Sequence, residues 1–318
     1  MSSSASSSVE APAQAPPEGA PTVIRLPEHT VEVVSDSGEG AQKCSQLFGR
    51  VSARMGNGVW TVEIIPAEIQ PPARTPGSAS GNRIRLGTAP VTNWGDEANL
   101  VVAFNEQVLL SRHRLDAMAE NAIVLIESQW ESHEDPTIRQ EWQTAMEELE
   151  QRSYRFIRVP MEEECQKILE IPARGKNMFA LGMLAGIYGR DLDILRMLIA
   201  REFRRKAQEV IDINIALLEA GHRWALENLD FRVEVPIEKP DQAMVVMNGN
   251  QAVGLGAIAA GMELCAMYPI TPATSASHYL SDVFEDFGGI VHQAEDEIAA
   301  AGVAIGASYA GKVAFTIT

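Results

Sequence analysis

Cysteine is nearly absent from this sequence: Cys44, Cys165 and Cys265 are the only three in 318 residues, far apart and without a C-x-x-C pair. That scarcity excludes a disulfide framework, a four-cysteine iron–sulfur cluster and a zinc ribbon held by this chain alone. It fits a reducing, cytoplasmic location. No uninterrupted apolar run of about 18 residues occurs, so no membrane-spanning helix is expected. The opening MSSSASSSVEAPAQAPPEGAP lacks the basic and apolar regions of a secretory signal and reads, over residues 1–28, as a disordered Ser/Ala/Pro tail. Basic residues are outnumbered, 26 Lys and Arg against 43 Asp and Glu, giving a net charge of −17. Nucleic acid is excluded as a partner, because its affinity rests on clustered Lys and Arg. The six histidines stand apart, with no H-E-x-x-H pattern and hence no predicted metal set, and no G-x-S-x-G elbow occurs.

What is present is a long alternation of strand and helix patterns. HTVEVVSD carries β-branched residues at strand spacing, and a helix is predicted from Ala41 to Met55. VWTVEII, NRIRL, NLVVAFN, NAIVLIES and YRFIRVP read as further strands, with helical patterns in LSRHRLDAMAEN and PTIRQEWQTAMEELEQR. Such alternation predicts an α/β domain over 29–228 with a mostly parallel sheet. Its end, Asn177 to Asn228, is wholly helical in pattern, with Gly182, Gly186 and Gly189 allowing close packing. LDFRVEVPIEKPDQ, residues 229–242, breaks the periodicity and is expected to be a linker. A second α/β unit over 243–318 then begins: AMVVMN, ELCAMYPI, GIVHQ and KVAFTIT read as strands with helices between them. A chain stopping on so apolar a strand is expected to continue beyond Thr318, which makes the sequence a fragment.

Three stretches invite chemistry. In QAEDEIAAAGVAIGASYAG, residues 293–311, Glu295, Asp296 and Glu297 precede a helix without a polar face. First-turn acids complement a helix dipole. An apolar helix, however, is expected to be buried all round, which places at least one acid at the edge of a desolvated space, where a carboxylate can exchange protons near neutrality. In YPITPATSASHYL, Thr271 and Pro272 suit an N-cap and first helical position, and the same strand-to-helix turn presents free N–H groups to an anion. In SDSGEGAQKC, Gly38 and Gly40 follow a strand and precede a helix, but Lys43 stands where the third glycine of a dinucleotide fingerprint would be. A tight turn without a ligand explains that stretch equally well.

Taken together, GNQAVGLGAIAAGMELCAMYPITPATSASHYL and GGIVHQAEDEIAAAGVAIGASYAGKVAFTIT resemble the α-subunit thiamine-pyrimidine domain of the 2-oxoacid:ferredoxin oxidoreductases. Upstream, SDSGEGAQKC, GKNMFALGMLAG and REFRRKAQEVIDINIALLEAG resemble that family's γ domain, so the resemblance covers roughly residues 30–318 of a γ–α fusion. It implies a γ domain followed by the start of a doubly wound pyrimidine-binding domain. It implies that Glu297 bonds the aminopyrimidine of thiamine diphosphate, helping to generate the cofactor's carbon nucleophile. Thr271 would contact the 2-oxoacid carboxylate, while Tyr268, Pro269 and Ile270 pack near the pyrimidine. Gly38, Gly40, Gln42 and Lys43 would meet coenzyme A, although the family's G-x-G-G-Q-G turn is altered here at Ala41 and Lys43. A β subunit would bring Mg²⁺, the diphosphate site and a 4Fe–4S cluster, in an (αβ)2 assembly that passes electrons to ferredoxin. The fused arrangement implies 2-oxoglutarate as substrate, with pyruvate or a branched 2-oxoacid as alternatives. From Ala243 onward Lys312 is the sole Lys or Arg, so no residue here selects a second carboxylate. The rival of another class is a non-catalytic α/β scaffold subunit.

Overall fold

A computed structural model describes residues 21–66, 71–238, 242, 244–270 and 272–318. Residues 1–20 of the expected tail lie outside the described residues, as does Thr271. The chain divides into two compact units, Met1–Gln242 and Ala243–Thr318.

The first unit opens with Thr22–Arg25 (β1), Glu28–Asp36 (β2), Ala41–Met55 (α1), Gly58–Ile64 (β3) and Ala79–Gly87 (β4). It continues through Ala98–Ala103 (β5), Glu106–Arg114 (α2), Met118–Glu127 (β6), Pro136–Leu149 (α3) and Arg155–Val159 (β7). Met161–Gln166 (α4), Lys176–Tyr188 (α5), Leu192–Glu202 (α6), Gln208–Asn228 (α7) and Phe231–Glu234 (β8) complete it. Six strands form a sheet in the order β3-β4-β2-β5-β6-β7; β4 pairs antiparallel with both β3 and β2, and the neighbours from β2 through β5 and β6 to β7 are parallel. The α1 side chains Leu47, Phe48 and Val51 pack with α5, α6 and α7 against one face. On the opposite face α2 and α3 pack through Val108, Leu109, Trp142 and Leu149. Because α1 follows β2 and α2 follows β5, neighbouring parallel strands send their helices to opposite faces. A crevice therefore opens at the carboxyl ends of β2 and β5, the usual ligand position in such sheets.

The helix α5 is buried along almost its whole length, which requires its backbone to lie close to α7. A Cβ at Gly182 would stand 2.0 Å from the Leu218 carbonyl oxygen, and one at Gly221 1.9 Å from that of Phe179. Glycine at these positions lets two backbones touch.

Four sequence expectations change here. The presumed tail contributes β1, and the presumed linker contributes β8, the two pairing in parallel; Phe231, Val233 and Val235 are buried in the core because they complete the α5–α7 face. In LSRHRLDAMAEN the helix stops at Arg114, Asp116 turns the chain at φ 47°, and Met118 already begins β6. AMVVMN supplies no strand over its described residues: Met244–Asn248 has no strand partner among the described residues, and Met244 and Val245 are 71% and 74% exposed.

The second unit runs Gly249–Ala259 (α8), Leu264–Met267 (β9), Thr274–Val283 (α9), Ile290–Gln293 (β10), Glu297–Tyr309 (α10) and Ala314–Ile317 (β11). Its sheet is parallel in the order β10-β9-β11. Cys265, Met267, Leu280 and Phe284 pack on the α9 face, and Ala266, Ala294 and Ala300 on the α10 face. The fourth correction concerns α10, which was expected to be buried all round. Of its residues only Ala300 is buried, and Ile298 and Tyr309 are 84% and 91% exposed, because no described element covers its outer side.

Candidate functional site

The first site lies at the β2–β5 crevice. Asp36 ends β2, and the turn after it has Gly38 at φ 93° and Gly40 at φ 89°, the left-handed region that glycine enters without strain. Gly40 also lies against Asn177 of α5, where a Cβ would meet Nδ2 at 2.4 Å. No side chain caps the start of α1, so its first-turn N–H groups are open to a ligand. Gly38, Gly40, Ala41, Gln42, Lys43 and Ser80 line a cleft of about 260 Å³ there. Lys43, at the edge of this cleft, pairs with Glu202 of α6.

Beneath the turn lies a set of buried charges that the sequence reading passed over. Lys176, 1% exposed, donates from Nζ to Glu39 Oε1 at 2.8 Å. Glu39 Oε2 accepts the Asp36 N–H at 3.0 Å. The Lys176 ammonium also stands 5.5 Å from the Phe104 ring centroid and 5.8 Å from that of Trp130. Asp36 accepts the Arg74 N–H at 2.9 Å and a hydrogen bond from Ser78. The Arg74 guanidinium pairs with buried Glu106 and stacks 4.1 Å from the Trp130 centroid. Arg74 itself sits at φ 55°, a strained conformation for a non-glycine residue that these contacts hold in place. At the end of β6, Glu127 accepts N–H groups of Gln129 and Glu162 at 3.0 and 2.9 Å. Burial pushes its carboxyl up to about 7, with those N–H groups and Lys176 pulling the other way. The one available signal was a lysine heading an otherwise apolar helix in GKNMFALGMLAG. Its partner, 137 residues away, cannot be read from spacing.

The second site lies at the carboxyl ends of β9 and β10. These neighbours send α9 and α10 to opposite faces, so Tyr268–Ile270 and the start of α10 follow adjacent strand ends at a switch point. Tyr268 N–H donates to the Ile317 carbonyl at 3.1 Å, and Ala294 N–H to that of Met267 at 2.8 Å, fixing both loops to the sheet. Tyr268 and Pro269 are half-buried and Ile270 is exposed. Pro272 precedes the helix rather than opening it: α9 starts at Thr274, whose N–H donates to the Ile270 carbonyl at 2.9 Å. Asn250 of α8 donates to the Pro272 carbonyl at 3.0 Å and so braces this turn.

The three acids divide their work. Asp296 is the N-cap of α10, accepting the Ala299 N–H at 2.7 Å. Glu297 is thereby relieved of capping. Its carboxylate makes no hydrogen bond or ion pair with any described residue. All three acids are exposed, contrary to the expectation of a desolvated edge, for the same reason that α10 is uncovered. Among the described residues no group of three or more His, Cys, Asp or Glu is placed to hold a metal ion. Cys44, Cys165 and Cys265 are free and buried; burial pushes the Cys165 thiol up to about 12, which leaves it a poor nucleophile. No helix among the described residues is long and apolar enough to cross a membrane.

Residues 31–224 match the family described as pyruvate ferredoxin/flavodoxin oxidoreductase, and residues 255–318 match the thiamine-diphosphate-binding family of pyruvate flavodoxin/ferredoxin oxidoreductase. The 2-oxoglutarate oxidoreductase subunit KorA of Mycobacterium tuberculosis is 30% identical over 314 residues, covering 94% of this chain and 48% of that protein. The 2-oxoglutarate synthase subunit KorA of Archaeoglobus fulgidus is 47% identical over 75 residues, 24% of this chain and 22% of that protein. The structure of 2-oxoglutarate:ferredoxin oxidoreductase from Magnetococcus marinus, with 2-oxoglutarate, coenzyme A and succinyl-CoA bound, superposes with a TM-score of 0.70. That match has 27% identity and covers 92% of this chain and 47% of that one. The chain thus spans about half the length of the relatives that match it along most of its length.

Proposed function

Since this chain belongs to the pyruvate ferredoxin/flavodoxin oxidoreductase family, we propose that it supplies the γ domain and the first part of the α domain of a 2-oxoacid:ferredoxin oxidoreductase acting on 2-oxoglutarate. The observation that carries the reading is the carboxylate of Glu297, free of capping duty at the start of the helix that follows β10, the strand paired with β9 at the switch point. The substrate rests on the names of the similar proteins from Mycobacterium tuberculosis and Magnetococcus marinus. Thiamine diphosphate, when bound, supplies the carbon nucleophile that attacks the 2-oxo group and releases CO₂.

The residues present suit the pyrimidine end of that group. Glu297 offers an acceptor with no competing donor among the described residues and would hold a proton shared with the ring nitrogen. Such sharing strengthens where water is excluded. The exposed apolar flank of α10, with Ile298, Ile305 and Tyr309, offers the surface on which a β subunit would close. Tyr268, Pro269 and Ile270 would wall the ring, and Thr271 would orient the substrate carboxylate. The β subunit would carry the diphosphate site, Mg²⁺ and the 4Fe–4S cluster that passes electrons to ferredoxin. An (αβ)2 assembly follows the family arrangement. The cleft at Gly38, Gly40, Gln42 and Lys43 would receive coenzyme A, the acyl acceptor, through the open N–H groups of α1.

The test is anaerobic reduction of a viologen dye by the complete subunit assembled with its β partner, supplied with thiamine diphosphate, Mg²⁺ and coenzyme A. Turnover with 2-oxoglutarate and little with pyruvate is expected. Turnover with pyruvate or a branched 2-oxoacid instead would replace the substrate and keep the chemistry. No turnover with any 2-oxoacid, from an assembly holding its cofactor and cluster, would leave the scaffold reading.

A further inference from the structure

The turn Gly38–Glu39–Gly40 is joined to α5 by two contacts of different kinds. Gly40, at φ 89°, packs on the Asn177 side chain, where a Cβ would stand 2.4 Å from Nδ2, and Glu39 pairs with Lys176. The ion pair is buried at its lysine end: the Lys176 side chain is 1% exposed, near Phe104 and Trp130, while Glu39 is 22% exposed and is its sole carboxylate within ion-pairing distance among the described residues. A buried ammonium that loses its paired carboxylate is costly, and Glu127, the other acid acting on Lys176, already accepts two backbone N–H groups, so Glu39 is held where Lys176 stands. Glu39 in turn holds the Asp36 N–H at 3.0 Å, which closes the turn on the end of β2. Two glycines in the left-handed region would by themselves give the chain more freedom here than any other residue pair. The ion pair removes that freedom from below, while the upper side of the turn and the first turn of α1 line the cleft.

We infer that Lys176 and Glu39 form a latch, anchored at its buried lysine end, that holds the glycine turn in the shape that receives coenzyme A, and that Lys176 is a positioning residue that never touches the ligand. The inference rests on the proposed placement of coenzyme A at this turn. Lys176 supplies the fixed point, because it opens a helix that is otherwise packed on every side. Glu39 transmits it, because its neighbours on both sides are the residues whose backbone lines the cleft. Lys43 plays a different part: tied to Glu202 on α6, it is positioned at the mouth and does not hold the turn. A preorganised turn binds its ligand without first being ordered, which is where its contribution to affinity lies.

A double-mutant cycle tests this on the complete subunit with its β partner. Lys176→Met, Glu39→Ala and the double variant are compared by calorimetric titration with coenzyme A and by viologen reduction with 2-oxoglutarate. Each single variant is expected to weaken coenzyme A binding by about 10- to 100-fold, the usual cost of misplacing a binding group by an ångström. The double variant should be no weaker than the worse single one, since both changes open the same latch. The KM for coenzyme A should rise while the KM for 2-oxoglutarate stays put. Glu39→Gln, which keeps an acceptor for the Asp36 N–H, should retain part of the affinity, and it decides the matter should Lys176→Met not fold. Unchanged coenzyme A binding in Glu39→Ala and Glu39→Gln would overturn the latch. Tighter binding in Glu39→Ala together with loss in Lys176→Met would overturn it too, by making Lys176 a direct ligand contact. A wild-type assembly that turns over 2-oxoglutarate but binds no coenzyme A at this turn would remove the premise instead.

Discussion

Glu127 makes the first unit sensitive to pH in a direction opposite to that of most carboxylates. Burial raises its carboxyl from the ordinary 4.5 to about 7. A group whose folded-state value is raised contributes stability that is present below its unfolded value and lost as pH climbs through the folded one. The window therefore runs from about 4.5 to about 7. At 1.36 kcal/mol for each pH unit, the loss amounts to about 3 kcal/mol across the whole window, of which roughly 2–3 falls between pH 5 and 8. Glu127→Gln removes the titration. It also costs one of the two accepted N–H bonds, because an amide has one oxygen for the donors of Gln129 and Glu162. That loss is independent of pH, so the slope is the readout and not the absolute stability. All five tryptophans lie between residues 60 and 224, so urea unfolding followed by tryptophan fluorescence reports on the first unit alone. The wild type should lose on the order of 1 M in urea midpoint between pH 5 and 8 beyond whatever Glu127→Gln loses. Parallel pH profiles for the two proteins would refute the argument and mean that Glu127 ionises without penalty.

Two further changes act on stability for other reasons. Glu32 is fully buried and accepts from Arg83 Nε at 2.7 Å and from Arg112 Nε and Nη2 at 2.8 and 2.9 Å. Glu32→Gln leaves two guanidiniums without a counter-charge and should cost about 3–5 kcal/mol in urea unfolding, as breaking a buried pair does; a cost below 1 kcal/mol would contradict it. Gly221→Ala brings a Cβ to 1.9 Å from the Phe179 carbonyl, against ordinary contact at 3.4 Å or more, so α5 and α7 must part by over 1 Å. Overpacking of this kind costs about 1–3 kcal/mol or more. It should lower the thermal midpoint, and an unchanged midpoint would show that the two helices slide freely.

Much of the architecture was legible because local chemistry and global packing agree. The helix Ala41–Met55 was readable from its apolar spacing and the glycines before it, and the strand patterns from their β-branched runs. The misreadings have physical causes. An apolar helix such as Glu297–Tyr309 announces that something must cover it, but not whether the cover comes from the same stretch of chain. Phe231–Glu234 sits among prolines and acids that suggest a linker, yet two of its side chains finish a core begun by α5 and α7. Thr22–Arg25 forms a strand only because that segment gives it an edge. The Lys176–Glu39 pair was invisible because spacing reports neighbours along a helix or strand and says nothing of contacts 137 residues apart. The resemblance singled out Glu297 among the three acids, but that Asp296 caps the helix could be seen only in the structure, because capping depends on the backbone turn and not on the run of carboxylates.

The proposed activation of the cofactor by Glu297 stands or falls with Glu297→Gln in the complete subunit, assembled with its β partner. 2-Oxoacid-dependent viologen reduction should be abolished in this variant, while it still assembles with its partner, because Asp296 and not Glu297 caps the helix. Turnover by Glu297→Gln at the wild-type rate would contradict it.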